Sequence, residues 1–113
     1  FQSYEYLKLD KVAQHYKHLA EQPFFNDLNK YMTSDIVLKM VVSGENAVEK
    51  VRNLCGPTNP ANAPQGTIRK KYGKNIQENC IHASATKGEG ESEIRLHCTS
   101  ETIDFLRRKG FEL

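Results

Sequence analysis

The run Ile36-Val37-Leu38-Lys39-Met40-Val41-Val42 constrains the fold more than any other segment. It is β-branched and almost continuously apolar, with Ser34-Asp35 before it and Gly44 after it. That pattern predicts a strand buried at the centre of a sheet. Residues 1–7 alternate loosely and carry aromatics, which predicts a second strand. Helical spacing fills the rest. Asp10 is placed to cap a helix through Val12, Ala13, Tyr16, Leu19 and Ala20. Pro23 opens a short helix with Phe25, Leu28 and Met32 on one face. Asn46 precedes Ala47, Val48, Val51 and Leu54. Residues 67–72 predict a short helical turn, and 80–82 a short strand delivering His82. Residues 87–90 read as flexible and 91–98 as a helix weakened by glycines. Thr99 or Ser100 caps a last helix to Arg108, with Gly110 just past its end. Residues 111–113 suit the start of another strand. Strands and helices mix without repeats, so the expected fold class is an α/β (α+β) sandwich.

At 113 residues the chain makes one domain. A net charge of +2 is too small to signal nucleic-acid binding, which the Lys70-Lys71 and Lys74 patch alone does not restore. No apolar run is long enough to span a membrane, and no leader peptide opens these residues. The 3 cysteines form no C-x-x-C pair, so free thiols in a reducing, cytoplasmic setting are expected and a cysteine zinc site is not. Cys80 is expected as a small buried hydrophobe. Segment 56–66 is rich in proline and glycine and too irregular for an element, which suits a functional surface loop.

Around that loop stand residues suited to phosphoryl chemistry. Neutral imidazole, here His82, is a good nucleophile near pH 7. A transferred phosphoryl group spreads charge over its oxygens and needs cations and donors around it. Arg52 and Arg69 offer permanent forked cations. Thr58 and Ser84 offer hydroxyls. Glu93 can orient the imidazole through its second N–H. Each residue also has an ordinary reading. Arg52, Glu93 and the lysines suit a solvated surface, and a histidine alone is more often structural than catalytic. His15 and His18, at i and i+3, can bind a metal but fit a solvated helix face better.

The order of these residues resembles the nucleoside diphosphate kinase family from Tyr16 to Cys98 without a gap. The matching blocks are His15-Tyr16 with Leu19, Pro23-Phe24-Phe25, Tyr31-Met32-Thr33-Ser34 and Gly44-Glu45-Asn46-Ala47-Val48. Then come Gly56-Pro57-Thr58-Asn59-Pro60, Gly66-Thr67-Ile68-Arg69, Asn79-Cys80-Ile81-His82-Ala83-Ser84 and Glu93-Ile94. The resemblance implies a ferredoxin-like antiparallel sheet with helices packed on it, and residues 1–113 as one such domain. It implies γ-phosphate transfer from a nucleoside triphosphate to a nucleoside diphosphate through a phosphohistidine at His82. Glu93 and Ser84 support that histidine. Tyr16, Arg52, Thr58 and Arg69 contact phosphates, Asn79 the sugar, and Phe24 the base, with Leu28 and Ile76 nearby. Broad base tolerance follows from recognition by stacking. Mg2+ bridges the phosphates, with no protein metal ligands of its own. A homo-oligomer, a hexamer by resemblance, is expected.

The departures are specific. The family's H-G-S-D-S reads His82-Ala83-Ser84-Ala85-Thr86 here. Its opening strand with the K-P-D lysine is missing from residues 1–113. The ends also look rotated, since residues 107–113 resemble the end of the family's first helix and the start of its second strand, and 1–9 resemble the remainder of that strand. An alternative reading is therefore a non-catalytic nucleotide-binding or assembly module that kept the pocket but lost the lysine strand.

Overall fold

A computed structural model describes all residues, Phe1–Leu113. Its elements in order are β1 (Gln2–Tyr6), α1 (Leu9–His15), a 3₁₀ turn (Lys17–Leu19), α2 (Phe25–Met32), β2 (Ile36–Met40) and α3 (Ala47–Cys55). A second 3₁₀ turn (Pro60–Asn62), α4 (Ile68–Tyr72), α5 (Lys87–His97) and α6 (Ser100–Arg108) follow.

β1 and β2 pair antiparallel, with Gln2 opposite Met40, Tyr4 opposite Leu38 and Tyr6 opposite Ile36. Because side chains alternate across a strand, those residues share one face, and all of them are exposed. The other face carries Ser3, Val37 and Lys39, which are half-buried, together with Glu5. β2 is thus not the buried central strand its composition suggests. It has one strand neighbour and helices on one face only, so its apolar residues alternate between the packed side and solvent. Lys39 crosses the packed face, pairing with Glu5 at 2.8 Å and donating to the carbonyl of His97 at the end of α5.

α1 packs on both α2 and α5, while α3 packs on α4, which in turn meets the 60–62 turn. Val12 and Cys55 are fully buried, with Leu28, Ala63 and Leu106 close behind. The Pro/Gly-rich segment runs over the surface as expected, anchored by Pro60 and Ala63, which are buried. Asn59 caps its 3₁₀ turn by accepting from the Ala61 N–H at 3.1 Å.

Several boundaries differ from the sequence reading. Lys8 rather than Asp10 precedes α1. Asn46 does precede α3, but in the left-handed region and without a side-chain cap. Residues 87–90 are not flexible: α5 starts at Lys87, because Thr86 accepts from the Glu89 N–H and so caps the helix despite Gly88 and Gly90. Glu89 reaches back to the Ala85 N–H at 3.0 Å. Residues 80–82 form no strand. They have no partner strand, and Cys80, exposed rather than buried, sits at φ +69°, which interrupts an extended chain. Residues 111–113 also form no strand. Thr67 and Thr99 cap α4 and α6, and Gly110 takes the left-handed position that ends α6.

Gly56 joins α3 to the loop at φ +84°, where an added Cβ meets Thr67 Oγ1 at 2.9 Å. Gly66 has φ +93° but open space around it. Gly56→Ala is therefore expected to lose about 1–3 kcal/mol, and Gly66→Ala only the smaller backbone part of that. Thermal denaturation of the two variants checks the order.

Candidate active site

His82 lies on an irregular segment held on both sides by arginine. Arg69, on α4, donates from Nη2 to the Ile81 carbonyl and from Nη1 to the Gly56 carbonyl, each at 2.7 Å. Arg52, on α3, donates to the Ala83 carbonyl at 3.1 Å. Main-chain carbonyls left unpaired by the missing ladder are thus satisfied by guanidinium groups, which bring two fixed positive charges beside the imidazole. Arg69 is only 7% exposed, and its Nε has no partner. Asn79 donates to the carbonyls of Thr58 (3.2 Å) and Ile76 (3.0 Å), tying the 56–66 loop to the same segment.

The His82 side chain faces α5. Its Nε2 is 2.6 Å from Glu93 Oε2. Ser84 donates to the other carboxylate oxygen, Oε1. Gly90, one turn before Glu93, lies against Ser84: a Cβ there would be 3.6 Å from its Oγ. A third group also converges on Glu93. His15, at the end of α1, places its Nε2 3.0 Å from Oε2, and its Nδ1 2.7 Å from His97 Nε2. The His15 side chain is 9% exposed, so it does not lie on the solvated helix face that pairing it with His18 suggested; His18 is the exposed one. His97 did not stand out in the sequence, and His15 did so only beside His18. The available signal was the spacing of Glu93 and His97, four apart on one helix and therefore on one face.

Electrostatics fixes the protons. Burial works against the Glu93 charge, but hydrogen bonds from His15, His82 and Ser84 outweigh it and hold the carboxyl well below the usual range. An ionised carboxylate only accepts. His82 and His15 therefore each carry a proton on Nε2, His15 Nδ1 accepts from His97, and His82 Nδ1 keeps its lone pair with no protein partner. Burial above all, with the Lys39 charge beside it, lowers His97 to about 4. Burial and the Glu93 charge raise Tyr16 to about 12, against an opposing pull from Arg69, so its phenol stays a neutral donor. The Tyr16 ring meets the His82 ring edge-on at 6.3 Å.

The remaining residues singled out in the sequence spread around this centre. Thr58 is exposed on the loop, Phe24 is half-buried before α2, and Ile76 is exposed. Leu28 is buried in the core.

An imidazole held by a carboxylate, with two arginines on its flanking segment, is a set of groups suited to phosphoryl transfer. The sequence model of the nucleoside diphosphate kinase family matches residues 3–103. A nucleoside diphosphate kinase of Dehalococcoides mccartyi is 41% identical over 105 residues, covering 90% of this chain and 74% of the relative. One from Archaeoglobus fulgidus is 43% identical over 94 residues, covering 83% and 62%. Among solved structures, the apo nucleoside diphosphate kinase of Encephalitozoon cuniculi superposes with a TM-score of 0.85 at 38% identity, covering 89% of this chain and 69% of that one. The Halobacterium salinarum enzyme, solved in complex with CDP, gives 0.83 at 33% identity, covering 88% and 67%. The chain belongs to the nucleoside diphosphate kinase family, a family of nucleotide phosphotransferases built on a ferredoxin-like α/β fold. It spans 62% to 74% of the length of these relatives.

His97 folds in its neutral form, with its pKa lowered from 6.5 to about 4. A depressed group contributes stability that is fully present above the unfolded pKa and lost as pH falls through the folded one. Stability is therefore expected to decline from about pH 6.5 toward 4, with Glu93 adding its loss below its unfolded pKa of about 4.3. Urea midpoints measured across this range check it. The decline between 6.5 and 4 should flatten in His97→Phe.

Proposed function

We propose that this chain transfers the γ-phosphoryl group of a nucleoside triphosphate to a nucleoside diphosphate, with His82 as the covalent carrier. One observation supports this most strongly: Glu93 engages His82 Nε2 and leaves Nδ1 with a lone pair and no protein partner. In the first half-reaction Nδ1 attacks the γ-phosphorus and the bond to the β-phosphate oxygen breaks. The nucleoside diphosphate then leaves. In the second half, a terminal phosphate oxygen of another diphosphate attacks phosphohistidine and frees Nδ1. With its proton still on Nε2, the phosphorylated ring is cationic, and the Glu93 carboxylate stabilises that charge.

Arg52 and Arg69 are assigned to the equatorial oxygens of the transferred group, and Thr58 and Tyr16 to positioning phosphate. Asn79 is assigned to the sugar hydroxyls and Phe24 to stacking on the base. Ile76 and Leu28 lie beside the base in this reading, Leu28 acting from the core as support. Mg2+ suits this arrangement as an ion carried by the nucleotide. The groups assigned to phosphate are cations and hydroxyls, and the central carboxylate is already engaged by His15, His82 and Ser84. When bound, the ion neutralises phosphate charge and orients the β and γ groups.

Assembly into a homo-oligomer, with a hexamer favoured, belongs to the same reading and is supported by the open sheet face at Tyr4, Tyr6, Ile36, Leu38 and Met40. A cytoplasmic setting is supported by 3 free cysteines. No helix is long and apolar enough to cross a membrane.

Incubation with labelled ATP and Mg2+ should give an acid-labile phosphoenzyme. His82→Ala should abolish it with ADP affinity nearly unchanged. Glu93→Gln should slow its formation about 10²–10³-fold, the scale of removing one preorganised electrostatic contact. Arg69→Ala should weaken both ADP binding and labelling. A wild-type chain that binds ADP but never labels would instead be a nucleotide-binding module, with the K-P-D lysine missing from residues 1–113 as the first suspect.

A further inference from the structure

We propose that His15, His82 and Glu93 form a binding site for a zinc-class divalent cation, backed by His97, and that its occupancy silences the His82 nucleophile. The second half of the proposal rests on the phosphotransfer reading above; the binding itself does not.

The donor atoms of His15, His82 and Glu93 all lie within 4.8 Å of one another. Both imidazoles point Nε2 at the same carboxylate oxygen, at 3.0 and 2.6 Å. A four-coordinate zinc ion with bonds of about 2.0–2.1 Å sets neighbouring ligand atoms roughly 3.3 Å apart. The two Nε2–Oε2 contacts reach that spacing by opening about 0.3 and about 0.7 Å, and the two imidazole nitrogens already lie within 4.8 Å of each other. Two imidazoles and a carboxylate suit zinc-class ions and not magnesium, which demands oxygen ligands in octahedral geometry. The His82 side chain is 35% exposed, so the ion can enter from that side and keep a fourth position open to water.

The surroundings match what such a site needs behind its ligands. A ligating histidine commonly donates its other N–H to an acceptor, which fixes the ring. His15 Nδ1 already lies 2.7 Å from His97 Nε2. Once His15 binds the ion through Nε2, its Nδ1–H faces that nitrogen as an acceptor. Ser84 remains on Oε1 and holds the carboxylate from the far side.

The protons balance without release to solvent. Before binding, His15, His82 and His97 each carry their proton on Nε2. The ion takes the Nε2 lone pairs of His15 and His82, so each of those protons moves to its own Nδ1. His15 Nδ1–H then donates to His97 Nε2, and the His97 proton shifts to its Nδ1. In His82 the displaced proton occupies the lone pair that phosphoryl transfer requires. The ion thus blocks the nucleophile without occupying the residues assigned to phosphate.

The test titrates the wild-type chain with Zn2+ by calorimetry and with Co2+ by visible absorption, while ¹H–¹⁵N spectra follow the histidine ring nitrogens. Expected are one ion per chain, tetrahedral Co2+ bands, and shifts at Nε2 of both His15 and His82. His15→Gln should lose the site, and His97→Phe should weaken it about 10- to 100-fold, the usual cost of removing such a supporting partner. Cys80→Ser with Cys98→Ser should leave it intact. No saturable binding, binding that survives His15→Gln, or binding that depends on the thiols would overturn the site; the ring-nitrogen shifts decide this in the wild type alone. Zn2+ should also prevent labelling by ATP while ADP still binds. Labelling that proceeds at saturating Zn2+ overturns the silencing. A chain that never labels even without Zn2+ fails the phosphotransfer reading, and the titration still judges the site.

Discussion

The Glu93 carboxylate is the contact on which the arrangement of the site depends. It accepts from His82 and His15 on one oxygen and from Ser84 on the other. Those three donors come from the end of α1 and from the segment before α5, while Glu93 itself sits within α5. One charge thereby fixes where two helices and an irregular loop meet. Charge-assisted hydrogen bonds are the stronger kind, and three of them offset the burial that would otherwise neutralise the carboxyl. Its ionisation also sets the tautomer of His82, so the orientation of the ring and the identity of its free nitrogen have one cause.

The two arginines act at a second level. The segment around His82 has no strand neighbour. Here its carbonyls are taken by Arg69 and Arg52. The same side chains that hold this segment also bring positive charge beside the imidazole, Arg69 from a buried position and Arg52 from an exposed one. Arg69 illustrates the cost of such a position: it is buried and leaves its Nε unpartnered, which leaves that N–H unused by the protein.

Much of this was legible in the sequence because it depends on residue type and order. Residues 67–72 announced a helical turn, Thr99 or Ser100 a helix start, Gly110 a helix end, and residues 56–66 a surface loop. His82, Glu93, Arg52 and Arg69 were identified from chemistry and spacing, and the structure brings them together. What was not legible depends on partners distant in the chain. Residues 36–42 have the composition of a buried strand, but burial needs neighbours on both faces. Residues 80–82 look extended, but an extended segment becomes a strand only with a ladder partner. His15 and His18 are indistinguishable by helical spacing; only the packing of α1 on α5 turns His15 inward. α5 is longer than its glycines alone suggest, because glycine propensity leaves out the Thr86 cap.

The central claim is that Glu93 holds His82 by Nε2 so that Nδ1 does the chemistry. The site of phosphorylation on the ring tests it most directly. With the chain ¹⁵N-labelled in histidine and phosphorylated by ATP, ³¹P–¹⁵N coupling identifies the nitrogen that carries the phosphoryl group. The account predicts a single adduct on His82 Nδ1, with the proton retained on Nε2. Phosphate on His82 Nε2, or on His15 or His97, would contradict it.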